Sequence, residues 1–197
     1  MKTAVYVLIG IIVFVVFVGL VIGSYYNSLV TLQENVKEKW SQVENVYQRR
    51  LDLIPNLVET VKGYAKHEKE TLKMVVEARA KALQMKVDSS MIEDQAKLNE
   101  FIKMQNEISS SLSRLLLIVE NYPDLKANQN FLALQSQLEG TENRIAVERR
   151  RYNEAVKLYN TKIRRFPGNV IASLFGFKPY AYFKAQSGAN VAPKVKF

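Results

Sequence analysis

The chain reads as an all-α protein, with an N-terminal transmembrane helix followed by an antiparallel up-and-down bundle of long helices, four by the number of breaks. Three observations predict this. The stretch AVYVLIGIIVFVVFVGLVI, Ala4 to Ile22, carries no charge. Apolar residues in the rest of the chain recur by threes and fours, the period of one buried helix face. No run alternates at period two as a half-buried strand would, so the layers must be helix on helix.

The uncharged stretch spans about 28 Å as a helix, close to the hydrocarbon thickness of a bilayer. A cleaved secretory signal would have a shorter apolar core and a small-x-small site after it. Here Gly23-Ser24-Tyr25-Tyr26 follows instead, and paired tyrosines suit the aromatic belt at a membrane surface. The expected anchor residues are Ala4, Val5, Leu8, Ile9, Ile12, Phe14, Phe17, Leu20, Ile22, Tyr25 and Tyr26. Lys2 and the amino terminus on one side nearly balance Lys37 and Lys39 on the other, so the positive-inside count leaves the side of the body open.

The first body helix continues from the anchor, with Leu29, Leu32, Val36, Trp40, Val43, Tyr47, Leu51, Ile54, Leu57 or Val58, and Val61 on one face. Pro55 predicts a kink without a change of phase, and Gly63 is the first residue suited to a C-cap. At Gly63 the chain either turns or merely bends. A second helix, about 65–86, places Leu72, Val75 or Val76, and Leu83 together. Asp88-Ser89-Ser90 offers N-cap chemistry for a third, whose face is Ile92, Ala96, Phe101 or Ile102, Gln105, Ile108, Leu112, Leu115 or Leu116, and Val119. It stops at Tyr122-Pro123, since the residue before proline is pushed out of the helical region. The fourth begins after Asp124 and runs through Phe131, Leu134, Leu138, Thr141, Ile145, Arg149, Tyr152, Val156, Tyr159 and Ile163 to Phe166, before Pro167-Gly168. Four such helices travel about 57 Å out, 33 Å back, 46 Å out and 63 Å back at 1.5 Å per residue. The path nearly closes and returns the C-terminal end to the membrane.

Composition narrows the function. Cysteine is absent among the 197 residues and histidine occurs once, His67, so thiol chemistry and two-histidine zinc motifs are excluded. His67, flanked by Lys66 and Glu68 at an expected turn, is read as a solvated residue without a role. The net charge of +9 suggests nucleic acid until it is divided. Residues 1–33 hold only Lys2, residues 34–154 hold 19 basic and 19 acidic residues, and residues 155–197 hold eight basic residues and no acid. The positive charge thus lies in a hydrophobic C-terminal end rather than on a recognition helix, which excludes nucleic acid as the expected partner.

Two motifs carry a family resemblance: RRLDLIPNLVETVKGYA at residues 49–65, within Tyr26 to Glu68, and YPDLKANQNFLALQ at 122–135, within Glu120 to Phe166. With IASLFGF at 171–177 and the Tyr182-Phe183 pair, they resemble the LemA family of bacterial membrane proteins over most of the chain from Tyr26 onward. The resemblance implies one N-terminal anchor, an antiparallel helical bundle and a bacterial cell envelope. It implies no reaction and no cofactor.

The expected organisation is an anchor at 1–24, a bundle at 25–166, an aromatic and basic segment at 167–183, and a flexible tail at 184–197. The candidate surface residues are Arg164, Arg165, Phe166, Phe175, Phe177, Lys178, Tyr180, Tyr182, Phe183 and Lys184. They meet either the lipid headgroups and a partner, or the end of the bundle itself. Arg49-Arg50 and Arg149-Arg150-Arg151 form either a docking patch or inter-helix pairs with Glu44, Glu142 and Glu148. Asp52, Asn56, Asn128, Asn153 and Asn160 either set register as buried polar residues or cap and line turns. Register is the stronger reading for Asn153 and Asn160, seven apart on one face. No catalytic set, metal site or cofactor site is assembled. The expected protein is a non-enzymatic, single-pass scaffold of the bacterial cytoplasmic membrane. It would self-associate or dock an envelope partner through coiled-coil-like faces, with a lipid-interacting or membrane-shaping role as the alternative.

Overall fold

The computed structural model describes residues 2–85 and 87–184; the expected tail lies outside them except for Lys184. Among the described residues the elements are all helical. The first, α1, runs unbroken from Lys2 to Tyr64, through Pro55. Its 63 residues extend about 94 Å. Among the described residues it contains the one stretch apolar enough to cross a membrane, and the most apolar 18 residues of it are not buried against the protein. Beyond it, Leu29, Val36, Trp40, Val43, Tyr47, Leu51, Ile54, Leu57 and Val61 are buried and Leu32 is half-buried against the same core, so the expected face of this helix is the one that packs.

The chain turns at 65–68, with His67 exposed on the turn. The Gly63 region is therefore a break between helices rather than a bend. Helix α2 (Lys69–Gln84) runs back along α1. It buries Leu72, Val75 and Ala82, while the expected Leu83 is exposed. At 16 residues it covers about 24 Å, short of the 33 Å expected. A 3₁₀ turn at Ser89–Glu93 supplies part of the missing descent, and Asp88 caps this turn rather than the third long helix. Helix α3 (Gln95–Val119) has its own cap, Asp94, whose carboxylate accepts from Ala96 N–H. The added turn changes which residues face inward: Leu98 is buried and Ala96 is exposed.

Helix α3 ends before Tyr122-Pro123, and Pro123 opens a one-turn helix, α4 (Pro123–Lys126). Proline suits that first position because the N–H it lacks would have no helical partner there. Helix α5 (Gln129–Arg164) begins four residues later than the sequence suggests. Asn128 forms its N-cap, accepting from Phe131 N–H at 3.0 Å and donating to the Tyr64 hydroxyl at 2.9 Å. Last comes α6 (Gly168–Phe175), closed by Gly176 in the left-handed region at φ 76°. Phe166, placed on the buried face by sequence, is instead exposed, because α5 ends at Arg164.

The longest pairing joins α1 to α5. As the α1 position rises from Trp40 through Arg50 to Tyr64, its α5 partner falls from Tyr152 through Glu142 to Asn128. The two helices are therefore antiparallel without slippage. Two hydrophobic cores result. One, toward the membrane, gathers Leu29 to Tyr47, Phe101 and Tyr152 to Ile163. The other, at the far end, gathers Leu51 to Ala65, Ile108 to Val119, Leu125, Phe131 and Leu138.

The membrane-proximal end and a buried polar layer

Arg50 lies at the junction of the two cores and is 1% exposed. Its Nη1 donates to Glu142 Oε1 at 2.7 Å and to Ser109 Oγ at 2.9 Å, while Nη2 donates to the carbonyl and side-chain oxygens of Gln105. Its guanidinium also lies over the Tyr47 ring, 5.2 Å from the centroid. A guanidinium taken out of water needs this many acceptors. Of the two readings of Arg50, inter-helix pairing is correct, with Glu142 as predicted and with Gln105 and Ser109 as partners the sequence did not reveal. The rest of the cluster stays near the surface, where Arg151 pairs with Glu148 one turn away at 2.8 Å. Asp52 and Asn56 are exposed.

Asn153 and Asn160 do set register, but with the C-terminal segment. Asn160 donates from Nδ2 to the Tyr180 carbonyl at 2.9 Å and accepts from Tyr180 N–H at 3.0 Å. Asn153 does the same for Phe183, both at 2.9 Å. Two turns of helix rise about 10.5 Å, and three residues of extended chain cover about 10 Å. One spacing therefore matches the other, and the segment is held as a strap along α5. Tyr152 Oη donates to Ala181 O at 2.8 Å, and Ala181 N–H donates to Ile92 O at 2.8 Å.

The strap carries aromatics into the core. The Phe183 ring stacks on Trp40 at 6.1 Å and meets Tyr152 at 5.4 Å, while Tyr180 meets Tyr159 at 5.1 Å. Burial pushes the Tyr152, Tyr159 and Tyr180 phenols up from their ordinary range. Burial also raises the Glu44 carboxyl. Tyr180 and Phe183 are therefore not surface contacts, and Phe177 and Tyr182 are half-buried against the same core. The reason is the asparagine pair, which satisfies backbone polar groups that an extended chain would otherwise leave to water.

The remaining candidates do face outward. Arg164, Arg165, Phe166, Phe175, Lys178 and Lys184 are exposed. Helix α6 packs against α1 where the apolar span ends. The Phe175 ring lies 4.9 Å from Tyr26, and Lys162 Nζ lies 4.3 Å over the Tyr25 ring. The anchor residues Val5, Leu8, Ile9, Ile12, Phe14, Phe17 and Leu20 are exposed, whereas Ile22 and Tyr25 already pack on the core; the Ala4 side chain lies outside the described set. The base of the bundle thus grips the last turn of the span.

Among the described residues no three His, Cys, Asp or Glu side chains come together as metal ligands. An open groove of about 530 Å³ lies between α2 and α3, beside Met74, Lys81 and Arg114.

An unbroken apolar-to-bundle helix and a base locked to it define a membrane-anchored helical-bundle protein. Residues 39–197 match the LemA family, and the chain belongs to it. Among curated relatives, it is 28% identical to Magnetosome protein MamQ 1 of Paramagnetospirillum magneticum over 84% of this chain and 66% of that protein. It is also 26% identical to Protein LemA of Metamycoplasma hominis over 87% of this chain and 78% of that protein. The chain thus spans just under two thirds of the length of the MamQ relatives from that organism.

Proposed function

We propose that this protein is a non-enzymatic scaffold, anchored once in the bacterial cytoplasmic membrane, that self-associates or docks envelope proteins through the outer faces of its helices. The observation that carries this reading is the continuity of α1 from the span to the far end of the bundle, reinforced by α5 returning in register to Tyr25. A stiff support standing on the membrane would present its surface at a fixed distance from the bilayer. The relatives' names fit such a role, since MamQ is named for a cell structure and neither name denotes a reaction. Exposed Val76 on α2, Leu117 on α3 and Leu132 on α5 offer apolar contact points.

The test is photo-cross-linking in cells from each of those three positions in the full chain, followed by extraction and sizing in detergent. A cross-linked second copy or a recurrent envelope protein is the expected result. A protein that stays monomeric at every concentration and captures no partner refutes the proposal.

A further inference from the structure

We infer that α6 is a second membrane contact, a short foot lying in the headgroup layer of an anionic bilayer beside the anchor. The inference rests on the anchoring of α1 and is independent of any docking through the helix faces.

Its first support is an apolar stripe with no protein partner among the described residues. Phe166, Val170 and Leu174 follow at intervals of four and are 83%, 57% and 69% exposed. The opposite side of α6, through Gly168, Ile171 and Ala172, is buried. Residues 166–177 contain no charge, and the polar side chains of α6 are limited to Asn169 and Ser173 beside the stripe. In water the outer side has nothing to repay its exposure.

The second support is placement. Gly168 begins α6 and a methyl added there would lie 4.0 Å from the Tyr25 ring, while the Phe175 ring at the other end lies tilted against Tyr26. Eight helical residues extend about 10 Å, yet both ends meet neighbouring positions of α1, which rise only about 1.5 Å apart. Helix α6 therefore lies across α1 rather than along it, about one turn beyond Ile22, where the span ends. A helix crossing the anchor at that height lies in the plane of the interface, the position an amphipathic membrane segment takes.

The third support is charge. Arg164, Arg165 and Lys178 flank the stripe and are exposed, and no Asp or Glu occurs in residues 1–33 or 155–197. The end of the molecule facing the bilayer is thus uniformly positive, matching anionic headgroups.

The absence of cysteine makes the test direct. Val170→Cys, Leu174→Cys, Val13→Cys and Leu132→Cys, each nitroxide-labelled in the full chain, would be reconstituted in vesicles of phosphatidylglycerol and phosphatidylcholine. Accessibility to oxygen and to a water-soluble nickel chelate is then read for each label. Labels at 170 and 174 should favour oxygen several-fold more than the label at 132, which is comparably exposed but at the far end. The label at 13 should read acyl-chain depth. Replacing Arg164 and Arg165 by Gln, or omitting phosphatidylglycerol, should make 170 and 174 shallower while leaving 13 unchanged. Water-like values at 170 and 174 with 13 in the acyl region overturn the foot alone. Water-like values at 13 overturn the anchor and the foot together. Spin–spin broadening at 174 without lipid contact assigns the stripe to a second copy and likewise overturns the inference.

Discussion

Replacing Asn160 by Ala should detach the C-terminal strap. Asn160 is 3% exposed and makes both a donated and an accepted hydrogen bond to the Tyr180 backbone. Alanine orphans a buried N–H and a buried C=O, each costing about 1–3 kcal/mol. The expected loss is therefore about 3 kcal/mol, since partial release of the strap would let water reach one of the two groups. Asn153→Ala should cost about 1 kcal/mol, because that side chain is only half-buried and water is already near. The double variant should lose less than the two singles combined, since a strap already released has nothing more to lose at its second fastening. Urea unfolding of the full chain in detergent can follow Trp40, the single tryptophan, whose ring stacks on Phe183. Its emission should change on strap release before the helices unfold. If Asn160→Ala stays within about 0.5 kcal/mol of the parent and Trp40 emission does not move, the strap is not held by these bonds and the argument fails.

The two neighbouring tyrosines should respond in opposite directions to removal of their hydroxyls. Tyr159 Oη is buried without a hydrogen-bond partner, so Tyr159→Phe should stabilise by about 1 kcal/mol in thermal unfolding; Tyr152→Phe loses the bond to Ala181 O and should destabilise by about 1 kcal/mol. Glu142→Ala strands the buried Arg50 guanidinium and should cost about 3 kcal/mol, more than Arg50→Met, which leaves a half-exposed Glu142 free to hydrate. Equal losses in denaturant titrations of the two would contradict that account. Gly168→Ala places a methyl 2.2 Å from the Lys162 carbonyl oxygen and should lower stability by about 2 kcal/mol, with α6 released to protease first. Because burial raises the Tyr152 and Tyr159 phenols, their stabilising contribution is complete below the unfolded value near pH 10 and declines as pH rises toward the folded values. The slope should be about 1.4 kcal/mol per pH unit for each phenol, and smaller by one share in Tyr159→Phe. Alkaline unfolding monitored by tyrosine absorbance checks it.

The anchor, the helical class and the buried face of α1 were legible in the sequence because each is a repeated local pattern. Nineteen uncharged residues and an unbroken three-four alternation are hard to bury in any other way. Helix starts were less legible. Asp88 and Asp94 both offer N-cap oxygens, and only the folded chain shows that the first caps a 3₁₀ turn and the second caps α3. The partners of Arg50 could be narrowed to acids but not chosen, since Gln105 and Ser109 look like ordinary positions on another helix. The stripe from Phe166 through Val170 to Leu174 had a readable spacing of four, hidden by assigning Phe166 to the end of the preceding helix.

What the sequence determined by itself is therefore the membrane anchor, the all-helical body and the placement of positive charge at the C-terminal end. The tertiary structure decided how that end divides: Tyr180 and Phe183 go into the core, while Phe166, Val170 and Leu174 stay outside. The physical reason is that Asn153 and Asn160 rise along α5 by the same distance that Tyr180 and Phe183 span in extended chain. Such a match exists only once a helix and a strap twenty to thirty residues away in sequence lie side by side, so no local pattern could announce it.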